Sequence, residues 1–225
     1  AVPSRRRGPR VVTVYALSVA ILPVLIFVVL GIRQVPQVPW TDAAMLPCYL
    51  LAAMLVFGEL RPLLVARADG DTDQVTVSTT FALALVLAGP LVFAMFVQGL
   101  AVAVSDAWSG RRPVRAAFNV GQYLLTLFSA RAVFSLLTGT PLLAPMTHLS
   151  NADVLPALVA GFTFFAVNNG TVAVAVALEQ GRSAFAVVAG DLRVQGLTTA
   201  ILIGLAPVAA AASDASPLML PLIAL

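Results

Sequence analysis

The sequence predicts an all-α protein, a polytopic transmembrane helical bundle of about eight spans, one of them short or re-entrant and the last truncated. Three observations carry that class. Apolar runs of about 20 residues, enough to cross roughly 30 Å of hydrocarbon, recur along nearly the whole chain. Charged residues make up 10% of the 225 and fall in short breaks between the runs, while hydrophobic residues make up 60% and mean hydropathy is +0.98, far from the balance of a soluble domain. Glycine and proline mark the breaks, and Gly89-Pro90 splits the densest stretch, residues 75–139.

The chain opens on AVPSRRRGPR, four arginines ahead of an apolar run over residues 11–32. That run exceeds the roughly 7–15 residues of a signal-peptide core and no small-x-small cleavage site follows, so it reads as a retained first span with a cytoplasmic N-terminus. Pro23 predicts a kink that neighbouring helices tolerate. QVPQVPW over residues 34–40 reads as an outer loop, with Trp40 at the interface. A second span over residues 43–60 ends in Gly58-Glu59-Leu60-Arg61-Pro62. Glu59, close to the span's end, reads as an interfacial carboxylate paired with Arg61 or another arginine, the alternative being a polar group facing a cavity.

In RADGDTDQ, residues 67–74, Asp69, Asp71 and Asp73 alternate like calcium ligands. The glycine and closing glutamate of a calcium loop are out of register, so a hydrated turn is expected. Residues 75–88 leave two readings open, a short crossing or a re-entrant half-helix buried against its neighbours. Arg61 and Arg67 precede that stretch and Arg111, Arg112 and Arg115 follow residues 91–107. With both arginine groups on the cytoplasmic side, an even number of crossings separates them, and residues 75–88 must supply one.

The span over residues 116–138 carries Asn119, Gln122 and Tyr123 on one helix face, and Arg131 beyond its middle. A long outer loop over residues 139–152 precedes a span over residues 153–178 that contains Asn168-Asn169-Gly170. Residues 179–195 return the chain to the inner surface with Arg182 and Arg193, read as a helix lying partly in the interface. Residues 196–212 cross outward, and the run over residues 217–225 reads as a truncated final span. Completing it leaves both ends cytoplasmic and leads to a C-terminal cytosolic output domain beyond residue 225, with residues 1–225 as a single integral-membrane domain.

The chemistry on offer is narrow. Cys48 and His148 are the only residues of their types, so no disulfide, zinc site or cofactor is expected within the chain. No enzyme constellation is present in this segment, because the acids sit mainly at span ends and no glycine-flanked serine elbow occurs. Thirteen basic residues, all arginine, cluster beside apolar runs, where topology explains them without nucleic acid. The intramembrane polar candidates are Gln98, Asn119, Gln122, Asn168, Asn169 and Arg131. They either bond helix to helix, at about 1 kcal/mol each, or converge on a midplane pocket for a small ligand. Arg131 is expected to snorkel outward or to pair with an acid such as Asp153, and Asp106 with Trp108 to form an interfacial cap.

Some of these residues also carry a resemblance. Val77-Ser78 leads an apolar run to Gly89-Pro90; Asp106 precedes Arg111-Arg112; Phe118-Asn119 is followed by Gln122; and FFAVNNGTVAVAVAL over residues 164–178 leads into Glu179-Gln180-Gly181. In these the chain resembles the N-terminal multi-pass membrane region of bacterial cyclic-dinucleotide signalling proteins of the GGDEF, EAL and HD-GYP types. It departs from that pattern at Arg131 and Gly170, where small apolar and aliphatic residues are expected. The resemblance implies a sensory or anchoring module in the bacterial inner membrane that regulates a C-terminal diguanylate cyclase or phosphodiesterase. Its implied partners are the lipid bilayer, a small-molecule or membrane signal and a second copy in a homodimer. A small-molecule transporter or substrate-capture subunit is the alternative reading.

Overall fold

Backbone polar groups have no water to bond in hydrocarbon, so apolar segments there close their hydrogen bonds internally. In the computed structural model they do so as helices α1 (Pro9–Gln34), α2 (Leu46–Leu60), α3 (Ser78–Ala88), α4 (Leu91–Trp108), α5 (Pro113–Thr138), α6 (Val154–Gln180) and α7 (Ala184–Ala215). The described residues are 9–61, 63–66, 72–75, 77–144, 148–181, 183–216 and 220. Six apolar segments are long enough to cross a membrane: Arg10–Gln37, Ala43–Leu60, Leu91–Trp108, Pro113–Thr138, Asn151–Gln180 and Gly196–Ala215. The chain is a multi-pass helical membrane protein. Of the eight expected spans, the last falls on residues 217–225, which lie outside the described residues apart from Leu220.

The helix ends follow local chemistry. Pro113 occupies the first turn of α5, where its missing N–H costs nothing. α5 and α6 stop at Gly139 and Gly181, whose φ angles of 74° and 67° favour a residue without a Cβ. Ser150 and Asp153 form a capping box just before α6. From Ala184 the stretch read as a helix partly in the interface is helical, and it runs without a break into the apolar segment Gly196–Ala215 as one helix, α7. His148, in the loop after α5, bonds Asp214 near the end of α7 at 3.0 Å.

Between α2 and α3 the chain makes an antiparallel hairpin of β1 (Leu63–Ala66) and β2 (Thr72–Val75), paired from Leu63 with Val75 to Ala66 with Thr72. Part of the expected turn is therefore strand. Residues 67–71, with Asp69 and Asp71, lie outside the described residues.

Helices α5, α6, α7, α3, α2 and α4 pack in that order as a closed ring, and α1 joins from outside against α5. Helix α3 also touches α4, α5 and α6. It is apolar all round and all but Thr79 of its residues are buried, as such a helix requires. Its 11 residues reach only about 16 Å, so α3 is a half-helix enclosed by the bundle. The outer sides of the ring and α1 show Leu22, Phe96, Leu100, Leu155 and Phe162, the surface a bilayer would cover. α1, α5 and α7 begin at the same face as α2, α4 and α6 end. That face is called the near face, and the other the far face.

Close approach between α1 and α5 depends on Gly121, where a Cβ would meet the Val19 carbonyl oxygen at 2.1 Å. Tyr15 adds a hydrogen bond from its hydroxyl to the Thr171 carbonyl, 2.9 Å away on α6.

Candidate functional site

Among the described residues the larger buried polar side chains fall into three clusters at different depths, while Thr80, Thr126, Thr171 and Ser213 bond backbone carbonyls outside them. The first surrounds the Gly89-Pro90 break between α3 and α4. A helix that stops inside a bundle leaves its last carbonyls and the first amides of the next helix without helical partners. Arg131, fully buried on α5, donates from Nη1 to the Val86 and Leu87 carbonyls, each at 3.0 Å. Its Nε and Nη2 donate to the Leu142 and Pro141 carbonyls at 3.3 and 3.4 Å. The planar guanidinium suits this fan of acceptors, and its charge meets the negative end of the α3 dipole. Gln34, also fully buried, accepts from the Val92 amide at 2.8 Å and donates to the Ala144 carbonyl at 3.3 Å. Two long side chains thus close the break and tie the loop at residues 141–144 to it.

This arrangement corrects the reading of Arg131. The side chain turns inward to carbonyls that Gly89-Pro90 has freed, and Asp153 accepts instead from the Ser150 amide and hydroxyl at 2.8 and 2.7 Å.

The second cluster joins α2, α3 and α4. Ser78 Oγ donates to Glu59 Oε2 at 2.6 Å, and Gln98 Nε2 donates to the same oxygen at 3.3 Å. Gln98 is fully buried and, among the described residues, its Oε1 has no partner. Gln98 lies about 15 Å along α4 from Trp108, so the cluster is well inside the bundle. Glu59 is therefore not the interfacial ion pair that its position suggests. Among the described residues no cation pairs with it, and two neutral donors hold its carboxylate. Because an amide can accept the same two bonds, Glu59→Gln is expected to change stability by less than about 1 kcal/mol, while Glu59→Leu, which strands Ser78 and Gln98, should cost about 2–3 kcal/mol. Thermal melts of the two variants in detergent would check this, and equal melting points would contradict it.

The third cluster links α4, α5 and α6 toward the near face. Asn119 Nδ2 donates to Asp106 Oδ2 at 2.7 Å, and Arg111 Nη1 lies 3.1 Å from Asp106 Oδ1. Gln122 Nε2 donates to both the carbonyl and the side-chain oxygen of Asn168, at 3.1 and 2.8 Å. Asp106 is only 4% exposed, so the expected cap in water is instead a buried joint, while Trp108 is 78% exposed beside it. Asn169 bonds the Phe165 carbonyl of its own helix at 3.0 Å and joins none of these groups.

The six candidates therefore do not meet in one midplane pocket. Gln98, the Asn119–Gln122–Asn168 set and Arg131 belong to separate clusters, and Asn169 to none. Gln34 is a partner that sequence reasoning does not supply, and Glu59 and Ser78, both singled out in the sequence, are not read there as bonded to each other. The signal for Gln34 is the break itself, which leaves an amide at the start of α4 that something has to satisfy. Among the described residues no three His, Cys, Asp or Glu side chains gather as metal ligands.

Comparison of the chain with protein-family models, with curated proteins and with solved structures finds no match.

Proposed function

We propose that the chain is a membrane-embedded sensory or anchoring module regulating a cyclic-dinucleotide enzyme, a diguanylate cyclase or phosphodiesterase, carried beyond residue 225. The observation that supports this reading is that several of the residues behind the resemblance make hydrogen bonds or ion pairs from one helix to the next. Asp106, Arg111, Asn119, Gln122 and Asn168 join three helices, and Ser78 joins α3 to Glu59. In this reading the near face is cytoplasmic, since Arg10, Arg61, Arg111, Arg112 and Arg115 lie at helix ends there and Arg33 lies opposite. The membrane is a bacterial inner membrane and the module works as a homodimer. The signal passes as a shift of α7, which packs along the enclosed α3 and takes Thr80's hydroxyl on its Leu202 carbonyl at 3.0 Å. Such a shift regulates only if α7 has two discrete positions.

The test is to express the intact reading frame in cells with a fluorescent cyclic-di-GMP reporter. The wild type should move the reporter several-fold from the empty-vector level. Asn168→Leu, which removes the side-chain half of the Gln122 joint and leaves the bond to the residue 168 carbonyl, should change that output about threefold at unchanged abundance in the membrane, as loss of roughly 0.6 kcal/mol of helix coupling implies. A reporter at the empty-vector level with the protein in the membrane would remove this reading.

A second reading, a small-molecule transporter or substrate-capture subunit, is favoured by the half-helix α3 and the Glu59–Gln98 pair deep in the bundle. It expects the purified protein to bind a small solute, with Glu59→Leu abolishing that binding.

A further inference from the structure

We infer that a cleft at the near face, between α1, α5 and α6, is a binding site for an anionic phospholipid. The cleft measures about 960 Å³ and has two kinds of wall. Its deeper part is apolar, with Val12 and Ala16 from α1 and Val172, Ala175 and Val176 from α6. Its mouth carries Arg111, Arg112 and Arg115 from the α4–α5 turn and the first turn of α5.

The charge balance at the mouth favours an anion. Arg111 is partly committed to Asp106 at 3.1 Å. Arg112 and Arg115 are exposed and, among the described residues, pair with no acid. Glu179 also lines the cleft, so three guanidiniums face two carboxylates, one of them the buried Asp106. The start of a 26-residue helix adds the positive end of its dipole at the same place.

The occupant follows from depth and shape. The mouth lies level with the turn just after Trp108, a 78% exposed aromatic of the kind that sits among headgroups. The apolar walls rise from there toward the bundle's middle. A soluble anion would use the arginines and leave the apolar wall in contact with water. A phospholipid uses both, its phosphate at the guanidiniums and an acyl chain along Val12, Ala16 and Val176, and basic pockets between transmembrane helices recognise lipids in this way. The volume is within the range of about 300–1,000 Å³ found for ligand sites.

The experiment is native mass spectrometry of the intact, delipidated protein, titrated with phosphatidylglycerol or with phosphatidylcholine of the same acyl chains. Phosphatidylglycerol should be retained at one copy per chain and at least tenfold more tightly. The double variant Arg112→Gln/Arg115→Gln should lose about twenty-five-fold in affinity, from roughly fivefold per guanidinium. Ala175→Trp, which fills the apolar wall, should weaken binding without changing charge, Glu179→Gln should strengthen it, and Arg33→Gln at the far face should leave it unchanged. Equal retention of the two lipids would overturn the proposal, as would full affinity in both the double variant and Ala175→Trp. Displacement of the lipid by an equal concentration of inorganic phosphate would also overturn it, and would mark a site for a soluble anion.

Discussion

Replacing Gly121 with alanine is expected to destabilise the protein by about 3 kcal/mol, although the same change in most helices is favourable by up to about 1 kcal/mol. The new methyl carbon would stand 2.1 Å from the Val19 carbonyl oxygen, 2.8 Å from the Ala20 Cα and 2.9 Å from the Val19 carbonyl carbon. All three obstacles are backbone, so no rotamer change relieves them and α1 must move off α5. Packing on α5 is what chiefly holds α1, which lies outside the ring and is mostly exposed along its length. Gly170→Ala and Gly204→Ala are the controls, since nothing lies within 4 Å of a Cβ at either position. Both should melt at or above the wild-type temperature, with Gly121→Ala well below and its α1 open to proteolysis. A Gly121→Ala protein as stable as the wild type would show that the two backbones do not approach this closely.

Arg131→Met is expected to have a comparable effect, a loss of about 3 kcal/mol or more. The methionine fills most of the volume but donates nothing, leaving the Val86, Leu87, Pro141 and Leu142 carbonyls to find other partners. Each buried acceptor so abandoned costs about 1–3 kcal/mol before relaxation. Arg131→Lys should fall between, since an ammonium keeps the charge at the end of α3 but cannot fan across four carbonyls. Gln34→Leu combined with Arg131→Met should cost less than the sum of the two, because both side chains secure the same break and the same loop. Melting temperatures and hydrogen exchange over residues 85–92 and 141–144 read both effects. Unchanged exchange in Arg131→Met would show that the guanidinium does not hold the break.

The helices are legible in the sequence because hydrocarbon makes one demand, continuous apolar length, and the runs state it directly. The partners of polar residues are harder to read. Asn119 and Gln122 share one face of α5 as their spacing implies, since helical periodicity is local information. That the acceptors are Asp106 and Asn168 depends on which helices are neighbours, and no periodicity encodes that. Arg131 and Gly89-Pro90 each stand out in the sequence, yet their link runs between backbone carbonyls and a side chain more than forty residues away. Glu59 misleads because closeness to the end of an apolar run is not closeness to water. The end of α2 lies beside the short α3, and although Phe57 in its last turn is exposed, Gly58 and Glu59 are buried against that neighbour. Asn169 bonds its own helix, an option open to any polar residue in a span and invisible to a search for convergence.

The enclosed half-helix also has a consequence for the order of synthesis. α3 is too short to be recognised by the insertion machinery as a span, and it needs cover on every side. One of its covering partners, α7, is made late: the Leu202 carbonyl that takes Thr80's hydroxyl lies 122 residues further along the chain. Until α7 arrives, α3 has α2, and then α4 to α6, but its α7 side stays open to lipid. The growing chain thus passes through a stage in which its most buried element is its least protected. Ribosome-bound chains that end before α7 should be cleared by membrane proteases, whereas those that extend past Leu202 should persist.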